Sequence, residues 1–103
     1  MIYVDVLMAS VRSGRWPYDQ SCHMFADTDS ELHLFAAGLG LRRAWFQAHK
    51  RLRHYDLTAG KRAQAIRMGA KEVDAQFVVD FMRRSVNHPI AERPRLIEPF
   101  RKW

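Results

Sequence analysis

The chain predicts a small α/β domain, and three observations carry that reading. Strand-like runs alternate with amphipathic helical segments three times, the pattern that builds sheets covered by helices. The helical segments carry their own start and stop signals. Length and composition agree: 103 residues with 48% hydrophobic content give one globular domain with a modest core.

Ile2 to Met8 is apolar apart from Asp5, and its β-branched and aromatic content suits a buried first strand. Ala9 to Ala26 reads as a long irregular loop with Gly14 and Pro17. Trp16, Tyr18 and Phe25 argue for its being ordered, and loops of that length usually serve function. Thr28 and Glu31 form a capping box, after which Leu32, Phe35, Ala36 and Leu39 follow helical spacing until Gly38 or Gly40. Ala44-Trp45-Phe46 supplies a second strand and His49 to Arg53 a basic loop, with His54 to Leu57 a brief strand or extended lead-in. Thr58 caps a second helix with Ala59, Ala63, Ile66 and Ala70 on one face, stopped at Gly69. Lys71-Glu72-Val73 reads as a third strand, and Asp74 caps a third helix with the stripe Phe77, Val78, Phe81 and Met82.

Such alternation favours two or three layers around a short, mostly parallel sheet of three to four strands with three helices. A fourth strand would come from the long loop or from the tail. Residues 1–84 form the domain. Residues 85–103, with Pro89, Pro94 and Pro99, form an extended basic tail. Its Leu96, Ile97, Phe100 and Trp103 are expected to pack on the domain or on a partner subunit, as in a homodimer.

The formal charge of +6 is uneven. From Arg83 onward six basic residues face only Glu92 and Glu98, whereas the first 82 residues carry eleven basic and nine acidic side chains. A basic tail is drawn to phosphate polymers or simply aids solubility. No apolar run approaches the roughly 20 residues of a membrane span, and no signal layout precedes Ile2. Cys22 is the single cysteine, so neither an internal disulfide nor a cysteine zinc site is available. A reducing, cytoplasmic setting is the expectation.

Candidate chemistry concentrates where apolar runs give way to polar loops, a crest at the strand C-terminal ends. Asp5, inside an apolar strand, needs a cation, donors or a metal, and can serve as ligand or general base. Alternatively it accepts backbone N–H groups of the next loop. His54 and Asp56 point the same way on an extended segment with Tyr55 opposite, so Asp56 can orient His54 as a base. Asp5, His54 and Asp56 are therefore the candidate catalytic residues. His23, His33 and Asp5 are candidate ligands for a divalent metal such as zinc, manganese or iron. Asp27 and Asp29 are explained by helix capping. Arg12, Arg15, Arg53 and Arg62, with Lys50 and Arg51, supply cationic forks for phosphate. Trp16, Tyr18 or Trp45 can stack on a base, and His23 joins this ligand-binding set. Cys22 beside His23 is not a catalytic pair, since sequence neighbours seldom face each other.

Two resemblances follow from these residues. Tyr3-Val4-Asp5, Arg15-Trp16, His23, Glu31-Leu32-His33 with Phe35-Ala36, Leu39-Gly40-Leu41, Trp45-Phe46-Gln47, His54-Tyr55-Asp56, Arg62-Ala63 and Gly69-Ala70 resemble a family of short bacterial and phage proteins. That family is described only as a domain of unknown function, so the likeness transfers no activity. Its members often have a second acid after the first, where this chain has Val6, which weakens any paired-carboxylate reading there. Between Lys61 and Asp80, the spacing of Ala65, Gly69, Val73, Phe77 and Asp80 is similar to the end of BRCT-type phosphopeptide-binding repeats.

The leading functional expectation is binding of a phosphate-bearing ligand, a nucleotide or nucleic acid, at the crest. The first alternative is a metal-dependent phosphoesterase or nuclease-like hydrolase using Asp5, His23, His33, His54 and Asp56. The second is a BRCT-like or oligomerising interaction module.

Overall fold

The computed structural model describes residues 1–87, with side chains through Arg84. In chain order these form β1 (Ile2–Val4), β2 (Met8–Ala9), β3 (Gln20–Ala26), α1 (Asp29–Gly38), a 3-10 turn (Arg43–Trp45), β4 (Gln47–Ala48), β5 (Arg53–Leu57), α2 (Ala59–Arg67), β6 (Lys71–Glu72) and α3 (Ala75–Asn87). The expectations for the tail lie outside the described residues.

The α/β class holds, but the sheet is mixed and not mostly parallel. Its strand order is β4-β5-β3-β1-β6, with β2 beside the start of β3. Among the described residues only β1 and β6 run parallel, and every other pairing is antiparallel. The difference lies in Gln20–Ala26, expected as loop and found as the central strand. Cys22 and Met24 face one core, while Phe25 faces another. A strand buried on both faces shows no simple polar alternation. Placed between β1 and β5, it reverses the parallel arrangement that strand–helix alternation would otherwise give. The expected strand at Ala44-Trp45-Phe46 is instead the 3-10 turn with its C-cap, since Trp45 is 52% exposed and nothing in the turn is buried. Of that run only Phe46 packs against the core, and one anchored residue does not draw the run into a sheet.

The expected single strand from Ile2 to Met8 is broken in two. Val4 pairs with Met24, and the Asp5 N–H reaches the His23 carbonyl, yet Met8 pairs with Ser21. Three steps along this strand, from Asp5 to Met8, match two along β3, so one residue is accommodated as a bulge at Val6-Leu7. Bulges commonly re-aim side chains beside a site. Beyond β2 the hairpin ladder continues through the Ser10 N–H to the Asp19 carbonyl, and Ser13 and Trp16 exchange both backbone bonds. A two-residue turn, Gly14-Arg15, closes this arm.

Helices lie on both sheet faces, giving three layers. Leu32, Ala36 and Leu39 at α1 and Ala65 of α2 pack on Ile2, Val4, Cys22, Met24, Tyr55 and Leu57. Val78 of α3, with Phe77, Phe81 and Met82, packs on Tyr3, Phe25 and Leu52 of the other face. Full burial of a side chain such as Phe25 or Leu32 contributes about 1.5–3 kcal/mol. Both Thr28 and Thr58 accept the N–H three residues on, and Asp74 accepts that of Phe77. At the far ends Gly40 (φ 83°) and Gly69 (φ 110°) take the left-handed conformation. The next N–H groups then return to Ala36 and Ala65, so both helices end in the same glycine motif. One face differs from expectation: α2 turns Ala65 and Ile66 inward while Ala59 and Ala63 are exposed. Arg62, on that inward side, bonds the Asp5 carbonyl at 2.7 Å and fixes the helix rotation.

Candidate metal centre

Strand alternation sends Tyr3 and Asp5, His23 and Phe25, and His54 and Asp56 to the α3 side of the sheet. Register aligns them further. The Asp5 N–H meets His23, His23 pairs with Asp56, and the same ladder sets Phe25 beside His54. The aromatic half of this face is covered by α3. The other half is a polar row, Asp5–His23–Asp56, with His54 at the boundary.

Each histidine is anchored through Nδ1. Asp5, 6% exposed, grips His23 twice, with Oδ1 accepting the backbone N–H at 2.6 Å and Oδ2 lying 2.7 Å from Nδ1. His54, 7% exposed, sets Nδ1 at 2.7 Å from the Leu52 carbonyl. A carboxylate and a carbonyl only accept, so both Nδ1 atoms carry hydrogen. In the neutral rings Nε2 is then left with its lone pair. The two rings meet edge to face with centroids 4.8 Å apart. His54 Nε2 stands 3.4 Å from Asp56 Oδ1, while Gln47 Nε2–H donates to Asp56 Oδ2.

One donor atom from each of His23, His54 and Asp56 falls within 4.8 Å of the other two. Two imidazoles and a carboxylate suit a divalent transition metal, and anchoring of the remote imidazole nitrogen is the usual support for such ligands. The hydrogen bond from Asp5 holds the His23 pKa above the ordinary imidazole range, against the opposing effect of partial burial. Asp56 is held below the usual carboxylate range, chiefly by its approach to the His54 ring and then by the Gln47 hydrogen bond. Asp56 is thus an anion ready to ligate, and a cation entering here competes with protonation of His23 at Nε2.

The structure brings together Asp5, His23, His54 and Asp56, on a sheet face and not at a rim of strand ends. His33 is not with them. It lies on the opposite face, Nδ1 at 2.9 Å from the Tyr55 hydroxyl and its ring against Phe46. It therefore cannot share an ion with His23 and Asp5, and Asp5 stands behind His23 as its anchor. Arg53 also projects to the far face, where its guanidinium bonds Asp29 at 2.7–3.1 Å and overlies Phe46. Arg62 holds the Asp5 carbonyl and reaches Glu72 at 3.3 Å. Arg12, Arg15 and Trp16 lie together on the β2–β3 arm; Trp16 Nε1–H donates to the Gln20 carbonyl at 3.3 Å.

Two contributors went unseen in sequence. Gln47 reaches Asp56 from β4, and its only signal was membership in the Trp45-Phe46-Gln47 motif of the resemblance. The Leu52 carbonyl has no side-chain signature at all. Among the described residues no helix is long and apolar enough to cross a membrane.

The model of a family described as "Protein of unknown function" (DUF4031) matches residues 2–85. No curated protein and no solved structure matches the chain.

Proposed function

The chain belongs to this DUF4031 family, and from that premise we propose that it is a divalent-metal-dependent hydrolase acting on a phosphoester. One observation carries the reading. His23, His54 and Asp56 present three donor atoms within 4.8 Å, with both imidazoles already oriented through Nδ1. Three protein ligands leave coordination positions for water and substrate, as catalytic rather than structural sites require.

A bound divalent ion supplies a Lewis acid and lowers the pKa of its water to about 7. The residues do the rest. Asp5 keeps the His23 ring in one tautomer and orientation, and Leu52 does the same for His54. Gln47 occupies one Asp56 oxygen and leaves the other toward the histidines. In the reaction the water oxygen joins phosphorus, the P–O ester bond breaks, and the leaving oxygen takes up a proton. The phosphoester assignment is supported by the +6 formal charge and by Arg12 and Arg15 on the arm that continues β3 beyond His23.

Calorimetric titration of the full chain with Zn2+, Mn2+ and Co2+, followed by hydrolysis of bis(p-nitrophenyl) phosphate, tests the proposal. His23→Ala and His54→Ala should each abolish both binding and turnover. Absence of saturable binding for all three ions, or binding indifferent to both substitutions, would overturn it. Saturable binding without turnover of any phosphoester would retain the centre and reject the reaction.

A further inference from the structure

We infer that the β2–β3 arm is a binding arm for single-stranded nucleic acid, which names the substrate class of the proposed hydrolase and rests on that reading for the step after binding. The arm runs from Met8 to Ser21 and turns at Gly14-Arg15. It buries little of what it carries. Val11 is 90% exposed, Met8 59% and Tyr18 48%, and the Arg12 side chain is 70% exposed. An apolar and aromatic surface of this density on a projecting ribbon costs solvation without serving the core, which marks it as a contact surface.

Its chemistry selects the occupant. The register set by the Ser13–Trp16 and Ser10–Asp19 bonds puts Tyr18 opposite Val11 and keeps Trp16 and Tyr18 on one side of the ribbon. Their rings meet edge to face at 5.1 Å, and the Trp16 indole N–H is held by the Gln20 carbonyl. Trp16 is thereby a fixed platform, and unpaired bases of any sequence can stack on such a surface. Arg12 faces Asp19 across 4.0 Å in an exposed pair, an interaction weak enough to exchange for a phosphate. Arg15 stands at the tip. Arg12, opposite Pro17, lies on the other side of the ribbon from the two rings, so a strand whose unpaired bases stack on the rings turns its phosphates over the ribbon's edge toward Arg12 and Arg15.

Direction links the arm to the metal centre. Trp16 and His23 are seven residues apart on one strand line, about 24 Å at roughly 3.4 Å per residue. The odd separation sets the Trp16 ring on the Cys22 and Met24 side of the strand and Arg12 on the His23 side, so it is the phosphate backbone, passing over the ribbon's edge, that reaches the polar row on β3. The arm gathers and aligns the polymer, and the centre meets a phosphodiester further along it.

Fluorescence anisotropy of labelled oligothymidylate and oligouridylate, with the full chain in EDTA, tests this apart from any metal. Trp16→Ala should weaken binding roughly five- to 150-fold, the worth of one stacked base. Arg12→Ala with Arg15→Ala should flatten the dependence of log affinity on log salt by roughly 1.4, two single-strand phosphate contacts. His23→Ala should leave binding in EDTA unchanged. Wild-type affinity in the arm variants, tighter binding of duplex than of single strand, or no binding would overturn the inference. So would a change in sedimentation of the arm variants with oligonucleotide binding intact, since the arm would then serve a protein interface. Arm-dependent binding in a protein that takes up no metal would reject the hydrolase reading alone. Metal binding that survives with no role for the arm would reject this inference alone.

Discussion

Replacing Asp5 with Asn probes the centre without emptying it. The Asn side chain keeps an oxygen for the His23 backbone N–H, held at 2.6 Å by Asp5, but sets an NH2 where Oδ2 now lies 2.7 Å from Nδ1. Two donors cannot share that contact, so the ring must move its proton to Nε2 or turn away. Either outcome removes the lone pair a cation needs. Loss of a supporting partner of this kind weakens metal affinity by roughly 10–100-fold, or about 1.4–2.7 kcal/mol. The charge-assisted hydrogen bond it replaces is itself worth about 1.5–3 kcal/mol to stability, and the neutral substitute recovers part of that. The protein should therefore stay folded, with a thermal midpoint lower by several degrees. Competition for Zn2+ against a fluorescent chelator reads the affinity, and circular dichroism reports the fold. Wild-type Zn2+ affinity in folded Asp5→Asn protein would refute the argument that Asp5 positions His23.

Three further outcomes follow from the same geometry. Cys22 is 3% exposed and burial pushes its thiol up to about 12, so the native protein should resist thiol reagents at pH 8 and react fully in denaturant; fast native labelling would contradict this. Burial holds the His33 pKa below an ordinary value near 6.5, with Arg43 adding to the effect. The stability tied to neutral His33 is complete above that value and is lost as pH falls through the folded value. The urea midpoint of His33→Gln should accordingly change less than wild type between pH 7 and pH 5; equal change would count against it. Gly69→Ala meets no atom within 4 Å but must hold φ near +110°, so it should cost about 1–2 kcal/mol by chemical denaturation, purely as backbone strain. A neutral result would show that the turn relaxes.

Helices were legible because they are punctuated. Thr28, Thr58 and Asp74 cap where expected, Gly40 and Gly69 stop the first two, and the stripes of α1 and α3 follow from spacing. The central strand was not legible, because Cys22-His23-Met24-Phe25 serves two buried surfaces and a polar site within four residues. Missing it carried a parallel sheet into the expectation. His54 and Asp56 were readable together because two-residue periodicity is a local rule. The roles of Arg53 and Arg62 were not, since their acceptors, Asp29 and the Asp5 carbonyl, lie 24 and 57 residues away. His33 misled for the related reason that a helix position near an apolar stripe does not say which side of a sheet the helix covers.

The extra residue at Val6-Leu7 decouples two lengths of chain. Strand pairing before it is fixed by Val4 with Met24, and pairing after it by Met8 with Ser21. Growth or trimming at Gly14-Arg15 leaves both registrations untouched, so reach can be altered while the imidazoles stay in phase. Removing Val6 would instead leave two steps against two, keeping both pairings but erasing the kink that sets the direction of the arm. Variation in this fold thus changes the arm's reach at the tip and its direction at the kink.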